Sequence, residues 1–265
     1  MPSSDLAGAA VLVTRPAHQA EGLCRRIEEA GGRPVRFPVV EIAPPADPDA
    51  AASVVDRLGD CAIALFVSAN AVERGLALIR ERLGALSEGL RLAAVGRATA
   101  RALEAELGRP PDLVPEGRFD SEGLLALPAL HEVTGRRIAI FRGEGGRELL
   151  ARTLTERGAH VDYAEVYRRR RPEADVEALL RTWETEGIDA VTVTSNEGLE
   201  NLIALLGTRG LEYLRRTPLV AMSRRTAELA AERGITAPVR VAPEASDAGI
   251  VAALCEGRMG KAEGR

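Results

Sequence analysis

Arginine and serine residues stand just beyond several apolar runs of the chain, in positions suited to binding carboxylates. Arg15 and Arg142 each follow one such run, and Ser68 and Ser195 follow two others. A guanidinium group can bind a carboxylate through two parallel hydrogen bonds, and hydroxyl groups beside a helix N-terminus add further donors. The chemistry that these residues predict is the binding of an anionic ligand that carries carboxylates.

The same residue types recur at a constant interval. The differences 142−15, 195−68, 226−99 and 241−114 all equal 127, and they relate four pairs: Arg15 and Arg142, Ser68 and Ser195, Thr99 and Thr226, Val114 and Val241. A period of this length predicts two copies of a domain-sized unit rather than a solenoid of short repeats.

Apolar runs and amphipathic stretches alternate along the chain. The runs that predict strands are 10–13, 62–67, 91–95, 138–141, 189–194 and 218–222. The predicted helices that end at a glycine are 17–30, 97–107, 147–157 and 224–233. This alternation predicts an α/β fold with parallel sheets and crossover helices, and such sheets bind ligands at the carboxyl ends of their strands.

Two segments, 38–45 and 164–172, break the alternation at equivalent places in the two copies. Their β-branched residues and bounding prolines favour extended linkers. A chain that crosses twice between domains would place 1–37 and 173–265 in one domain and 46–163 in the other.

Composition predicts an ordinary soluble protein of two domains. The chain has 265 residues, of which 46% are hydrophobic and 28% charged. The longest apolar run, 61–67, is too short to span a bilayer, and a net charge of −4 argues against nucleic acid as a partner. The N-terminal residues lack a signal-peptide pattern, which favours a cytoplasmic location.

The spacing of Cys24, Cys61 and Cys255 favours buried thiols over disulfides or a zinc site.

Seven motifs occur in order along the chain: V-T-R-P at 13–16, F-V-S-A-N-A-V at 66–72, V-G-R-A-T-A at 95–100, I-F-R-G-E-G-G-R-E-L-L at 140–150, V-Y-R at 166–168, V-T-S-N-E-G-L at 193–199 and Thr226-Ala227. In their order and spacing they resemble the uroporphyrinogen-III synthase family over nearly the whole chain. The resemblance implies two flavodoxin-like α/β domains joined by a two-stranded linker, with neither metal nor cofactor.

The resemblance also implies a reaction. The substrate would be hydroxymethylbilane, a linear tetrapyrrole with eight carboxylates, and the product uroporphyrinogen III, formed with loss of water and inversion of ring D through a spiro intermediate. Such a lyase of heme and other tetrapyrrole biosynthesis would act as a cytoplasmic monomer, without nucleic acid or membrane, and would receive its substrate from hydroxymethylbilane synthase. The loops of the two domains are expected to face one another across a cleft that closes during the reaction.

Tyr167, in the second linker, matches the family's tyrosine and is the predicted catalytic residue. It would donate a proton to the leaving hydroxyl or orient the water that does so, unless it only packs its ring on a domain face. Thr226 matches a family threonine at the start of a helix, where it would bind a carboxylate, cap the helix, or do both.

The other predicted substrate-binding residues lie in the same loops and are arginine, hydroxyl, amide or glycine residues: Arg15, Ser68, Asn70, Gly96, Thr99, Arg142, Gly143, Ser195, Asn196 and Ser223. The serines and asparagines would otherwise cap the following helices, and the arginines would otherwise be solvated. The glycines at 143, 145 and 146 would let the backbone approach a ligand.

The chain departs from the family pattern at Ser223-Arg224-Arg225, where the family usually has a glycine and a second hydroxyl residue. This departure puts in question which backbone N–H groups are free there, although the arginines would suit an acidic substrate. The histidines His18, His131 and His160 match no catalytic position and are expected at the surface.

Two other functions remain open. One is a non-catalytic two-domain sensor that binds an anionic metabolite by hinge closure. The other is a Rossmann-type nucleotide enzyme, which the sequence does not support because it lacks both glycine-rich phosphate-binding motifs.

Overall fold

The computed structural model describes residues 6–256, and the chain divides into two compact units. One unit contains the chain up to Glu41 and from Arg170 onward, and the other contains Ile42–Arg169. Both boundaries fall inside the segments 38–45 and 164–172, and the limits predicted for the two domains stay a prediction.

The secondary structure is a mixture of short strands and helices. The strands are β1 (Ala10–Val13), β2 (Arg33–Arg36), β3 (Glu41–Ala43), β4 (Ile63–Phe66), β5 (Arg91–Ala94), β6 (Arg137–Gly143), β7 (His160–Arg170), β8 (Ala190–Val193), β9 (Leu219–Ala221) and β10 (Val239–Val241). The α-helices are α1 (Ala17–Glu29), α2 (Pro48–Asp56), α3 (Ala69–Leu83), α4 (Arg97–Leu107), α5 (Ser121–Leu125), α6 (Leu149–Glu156), α7 (Val176–Thr185), α8 (Asn196–Arg216), α9 (Arg224–Glu232) and α10 (Asp247–Cys255).

The first unit is built on a parallel sheet with strand order β10-β9-β8-β1-β2. Counted within the unit, this is the order 2-1-3-4-5 of doubly wound flavodoxin-like folds. The sheet and the helices on it bury a core that includes Leu23, Ile27, Val220, Ile250 and Leu254.

The second unit has a sheet with the order β3-β7-β6-β4-β5, in which the pairs β4–β5, β4–β6 and β6–β7 are parallel. Its core includes Ile63, Leu65, Ile138, Ile140 and Leu154. The parallel sheets confirm the predicted α/β fold class.

The elements of the two units correspond at the predicted interval. Adding 127 to the bounds of β4, 63 and 66, gives 190 and 193, the bounds of β8, and adding 127 to 97, where α4 begins, gives 224, where α9 begins. This correspondence agrees with the repeat of residue types, and the duplication of one unit stays a prediction.

The bounds of the helices and strands given above as predictions agree with the structure to within about two residues. The second predicted linker, in contrast, is largely a strand of the sheet. The predicted extended segment 164–172 lies largely inside β7, a strand of eleven residues that pairs with β6. Extended backbone and β-branched residues are equally suited to a linker and to a strand, so composition alone does not distinguish the two.

Candidate active site

A pocket of about 420 Å³ opens at the carboxyl ends of β4, β6 and β7 in the second unit. Four of the predicted site residues line it: Ser68, Arg142, Gly143 and Tyr167. The rest of the loop 143–147 lines it as well. This is the edge of an open parallel sheet at which ligands bind.

Tyr167 is buried, with 4% of its surface exposed, and its hydroxyl lies 3.1 Å from the hydroxyl oxygen of Ser68. Ser68 is the N-cap of α3, and its hydroxyl oxygen accepts a hydrogen bond of 3.1 Å from the backbone N–H of Ala71. The two residues are 99 positions apart in the chain. The hydrogen bond therefore places the Tyr167 hydroxyl at the N-terminus of α3.

A bulge in the sheet sets the position of Tyr167. Arg142 pairs with Glu165, but the next residue, Gly143, pairs with Tyr167, so that Val166 is passed over. A bulge of this kind re-aims the side chains that follow it. A Cβ atom on Gly143 would lie 2.6 Å from the Tyr167 ring, so glycine is required here for the ring to pack.

Arg142 lies within β6 rather than after it and is only 3% exposed. Its Nη1 donates to Oε1 of Glu148 at 3.0 Å, its Nε donates to the carbonyl of Gly143 at 3.1 Å, and Oε1 of Glu165 lies 3.6 Å from Nε. Its guanidinium carbon lies 4.5 Å from the centre of the Tyr163 ring. A buried cation of this kind requires compensating anions.

Glu148 also accepts a hydrogen bond of 2.6 Å from the Tyr163 hydroxyl at Oε2. The hydrogen bonds from Tyr163 and Arg142 lower the pKa of the Glu148 carboxyl. Burial, and then the neighbouring Glu148 carboxylate, raise the pKa of Tyr163 to about 12. At neutral pH the pair is therefore a carboxylate and a protonated phenol, and the phenol is the donor.

Two of the loop glycines lie close to side chains of the protein itself, and the approach of the loop backbone to a ligand stays a prediction. A Cβ atom on Gly146 would lie 2.8 Å from the Arg142 guanidinium, and one on Gly143 would meet Tyr167. The close approach that these two glycines permit is thus to side chains of the protein itself.

The start of α4 holds two further predicted residues. Gly96 is the N-cap and provides no side-chain cap, while Thr99 is buried in the first turn. Asn70, in the first turn of α3, is also buried, and the capping group of that helix is Ser68. The alternative that Asn70 caps the helix is therefore wrong.

In the first unit, the predicted residues form a separate hydroxyl and amide cluster. Ser195 caps α8 by accepting from the N–H of Gly198 at 3.0 Å. The Thr226 hydroxyl, in a residue only 1% exposed, donates to Oδ1 of Asn196 at 2.9 Å and lies 2.9 Å from the Ser223 hydroxyl. This cluster ties the N-terminus of α9 to that of α8.

Thr226 is not a helix cap, which corrects one of its two alternatives. The N-cap of α9 is Ser223, whose hydroxyl oxygen accepts from the N–H of Thr226 at 3.2 Å. The unusual residues Arg224 and Arg225 are exposed in the first turn. Ser223 thus caps α9 through its side chain.

Arg15 already has a carboxylate partner. Its guanidinium forms an ion pair with Asp247, the first residue of α10. The solvated alternative for Arg15 is therefore wrong, and its binding of a ligand stays a prediction. His18, His131 and His160 are exposed, as expected.

Within residues 6–256, no helix is both long and apolar enough to cross a membrane.

Comparison with known proteins identifies the family. The family model described as uroporphyrinogen-III synthase HemD matches residues 21–252. The chain belongs to the uroporphyrinogen-III synthase family. It is 34% identical over 245 residues to the uroporphyrinogen-III synthase of Escherichia coli, covering 92% of this chain and 99% of that protein. It is also 34% identical over 246 residues to the enzyme of the same name from Salmonella typhimurium, with the same coverage.

Solved structures of the family have the same fold. A mutant uroporphyrinogen III synthase from Thermus thermophilus aligns with a TM-score of 0.56 at 22% identity, covering 92% of this chain and 96% of that one. The uroporphyrinogen-III synthetase of Helicobacter pylori aligns with a TM-score of 0.57 at 14% identity, covering 92% and 97%. At these identities the likeness concerns the fold.

Three residues near Arg142 were not among the predicted site residues of this family member: Glu148, Tyr163 and Glu165. Glu148 lies within the motif at 140–150 but has no spacing that marks it as a partner of Arg142. Tyr163, Glu165 and Tyr167 follow one another at a period of two in the sequence, which is a signal of a strand. Tyr163 and Tyr167 line the pocket.

Proposed function

We propose that the protein catalyses the cyclisation of hydroxymethylbilane to uroporphyrinogen III, with loss of water and inversion of ring D. The observation that carries the proposal is the family match over residues 21–252, together with a pocket that contains the tyrosine of the V-Y-R motif. The cytoplasmic location, the monomeric state and the transfer of substrate from hydroxymethylbilane synthase are parts of the same proposal.

In this proposal Tyr167 supplies the proton for the leaving hydroxyl. The Ser68 oxygen accepts from a backbone N–H, and its hydroxyl lies 3.1 Å from that of Tyr167. Of the two possible directions of this hydrogen bond, the proposal assigns Ser68 as the donor. A phenol that accepts this bond has its own O–H free to donate into the pocket. The positive end of the α3 dipole acts on Ser68 and favours this polarity.

The proton balance is closed within one turnover. The donated proton and the substrate hydroxyl leave together as water, which makes the terminal carbon electrophilic. The substituted carbon of ring D attacks it to form the spiro intermediate. The original bond between this carbon and the methylene of ring C then breaks, and that methylene forms a new bond to the unsubstituted α-carbon of ring D, which inverts the ring. Loss of the proton from this α-carbon restores the aromatic pyrrole. Tyr167 is thereby returned to its neutral form.

The remaining predicted residues bind the substrate carboxylates in this proposal. Arg142 in the second unit and the Ser195 and Ser223 loops in the first unit each contribute donors near a helix N-terminus. Eight carboxylates require many such donors, and the helix N-termini that follow the strands provide them. Binding restrains the linear substrate in the conformation from which the inverted ring closes.

The test uses the purified full chain and freshly generated hydroxymethylbilane. The products are oxidised, and uroporphyrin isomers I and III are separated by chromatography. We expect isomer III to dominate, whereas the protein-free reaction and heat-denatured protein give isomer I. Formation of isomer I alone, at the protein-free rate, would contradict the proposal and favour a non-catalytic protein that binds an anionic metabolite.

A further inference from the structure

Arg142 and Tyr163 present two donors to the two oxygens of one carboxylate. Nη1 of Arg142 donates to Oε1 of Glu148 at 3.0 Å, and the Tyr163 hydroxyl donates to Oε2 of the same group at 2.6 Å. Both donors line the pocket, whereas Glu148 is not among its lining residues. The geometry is that of a carboxylate site whose occupant is a side chain of the protein.

Arg142 is buried and Glu148 is exposed, so the two side chains differ in their freedom to move. The Arg142 side chain is 4% exposed, and it is held within β6 by the Gly143 carbonyl and by the nearby Glu165. The Glu148 side chain is 68% exposed and follows a loop that contains Gly145 and Gly146. Releasing Glu148 to water therefore costs little, because a well-exposed carboxylate has lost little of its hydration.

Arg142, in contrast, cannot follow Glu148 into solvent. If Glu148 leaves, the guanidinium keeps its hydrogen bond to the Gly143 carbonyl. Its remaining anionic partner among residues 6–256 is Glu165, whose Oε1 is 3.6 Å from Nε and beyond hydrogen-bond distance. A buried cation in this state favours another anion. Tyr163 remains protonated at neutral pH and provides the second donor, because an ordinary phenol has a pKa of about 10 and burial, the largest cause of the raised pKa of Tyr163, does not depend on Glu148.

We infer that Arg142 and Tyr163 form a substrate carboxylate site, and that Glu148 occupies it in the free protein as an internal substitute that an acetate or propionate side chain of the substrate displaces. The inference rests on the proposed function for the identity of the ligand. It assigns Tyr163 a binding role and makes Glu148 a competitor that weakens substrate binding.

The test is to replace Glu148 by glutamine and measure affinity for a stable octacarboxylate. Uroporphyrin III, the oxidised product, is the probe, and quenching of its fluorescence on titration gives Kd. We expect Glu148→Gln to lower Kd about fivefold, because a neutral amide competes less well than a carboxylate for Arg142. Glu156→Gln is the matched control, since it removes the same charge from an exposed residue of α6 that pairs with Arg152 at 3.9 Å, and its Kd should equal that of the wild type.

A second pair of variants tests the role of Tyr163. Tyr163→Phe should raise Kd about fivefold by removing one donor, and Glu148→Gln should gain less in that background, because both changes act at the same site. Circular dichroism and thermal unfolding verify that each variant is folded.

An unchanged or higher Kd for Glu148→Gln, compared with Glu156→Gln, overturns the inference. An equal gain from Glu148→Gln with and without the Tyr163 hydroxyl also overturns it, since Glu148 would then act through general charge. These binding results do not depend on turnover. A protein that makes no isomer III but shows the expected Kd pattern would contradict the proposed function and still support the carboxylate site.

Discussion

At the scale of single residues, Tyr167 has the environment that best fits proton transfer. Its hydroxyl is 3.1 Å from Ser68 in a residue that is 4% exposed, and it lines the pocket. Tyr167→Phe keeps the ring against Gly143 and removes only the hydroxyl. We expect kcat for isomer III to fall about a hundredfold while KM changes little, as for the loss of a general acid. Steady-state kinetics with quantified isomers measures both constants.

The matched control is Tyr213→Phe, which removes a tyrosine hydroxyl bonded to Glu184 in the first unit. This variant should keep the wild-type kcat. Full activity of Tyr167→Phe, with kcat lost instead in Arg142→Lys, would show that the proton donor is assigned to the wrong residue.

At the scale of elements, the junction of β6 and β7 positions the predicted catalytic side chain. The bulge places Tyr167 opposite Gly143, where an added Cβ atom would lie 2.6 Å from the ring. We expect Gly143→Ala to lower the free energy of unfolding by about 1–3 kcal/mol, as overpacking does, and to lower kcat by moving the phenol. Denaturant unfolding and the isomer assay measure the two effects.

Gly59→Ala is the control for this prediction, because a Cβ atom there would have nothing within 4 Å. It should leave the stability within about 0.5 kcal/mol of the wild type. If Gly143→Ala were equally neutral, the packing of the Tyr167 ring against the glycine would not be what positions the phenol.

At the scale of the whole molecule, the candidate donors are distributed over both units. Ser68 belongs to the second unit and Ser195 to the first, and each caps the helix that follows a central strand. We expect Ser68→Ala, which removes the hydrogen bond to the Tyr167 oxygen, and Ser195→Ala, which removes a donor to a substrate carboxylate, each to lower kcat/KM about tenfold without abolishing isomer III. The double variant should lose more and shift the products toward isomer I.

This expectation follows from the proposed reaction, whose uncatalysed form already closes the ring to isomer I, so that we expect the enzyme to act chiefly by restraining the substrate. The rates and isomer ratios of the single and double variants decide it. A folded single variant that yields only isomer I would contradict it and indicate one indispensable group.

The sequence by itself determined the local elements and the family. Hydrophobic periodicity located strands such as 10–13 and helices such as 97–107, because the burial of one face is encoded in residues close together in the chain. The order of short motifs, whose spacing follows from those elements, identified the uroporphyrinogen-III synthase family, and the family match over 21–252 confirms it.

Only the tertiary structure decided the partners of the polar side chains. Ser68 meets Tyr167 across 99 residues, Tyr163 meets Glu148 across 15, and Thr226 meets Asn196 across 30. These contacts depend on strand order, on one bulge and on which serine caps which helix. Local propensity does not specify them, because residues far apart in the chain become neighbours only when the sheet assembles, and the sheet therefore determines which carboxylate neutralises Arg142.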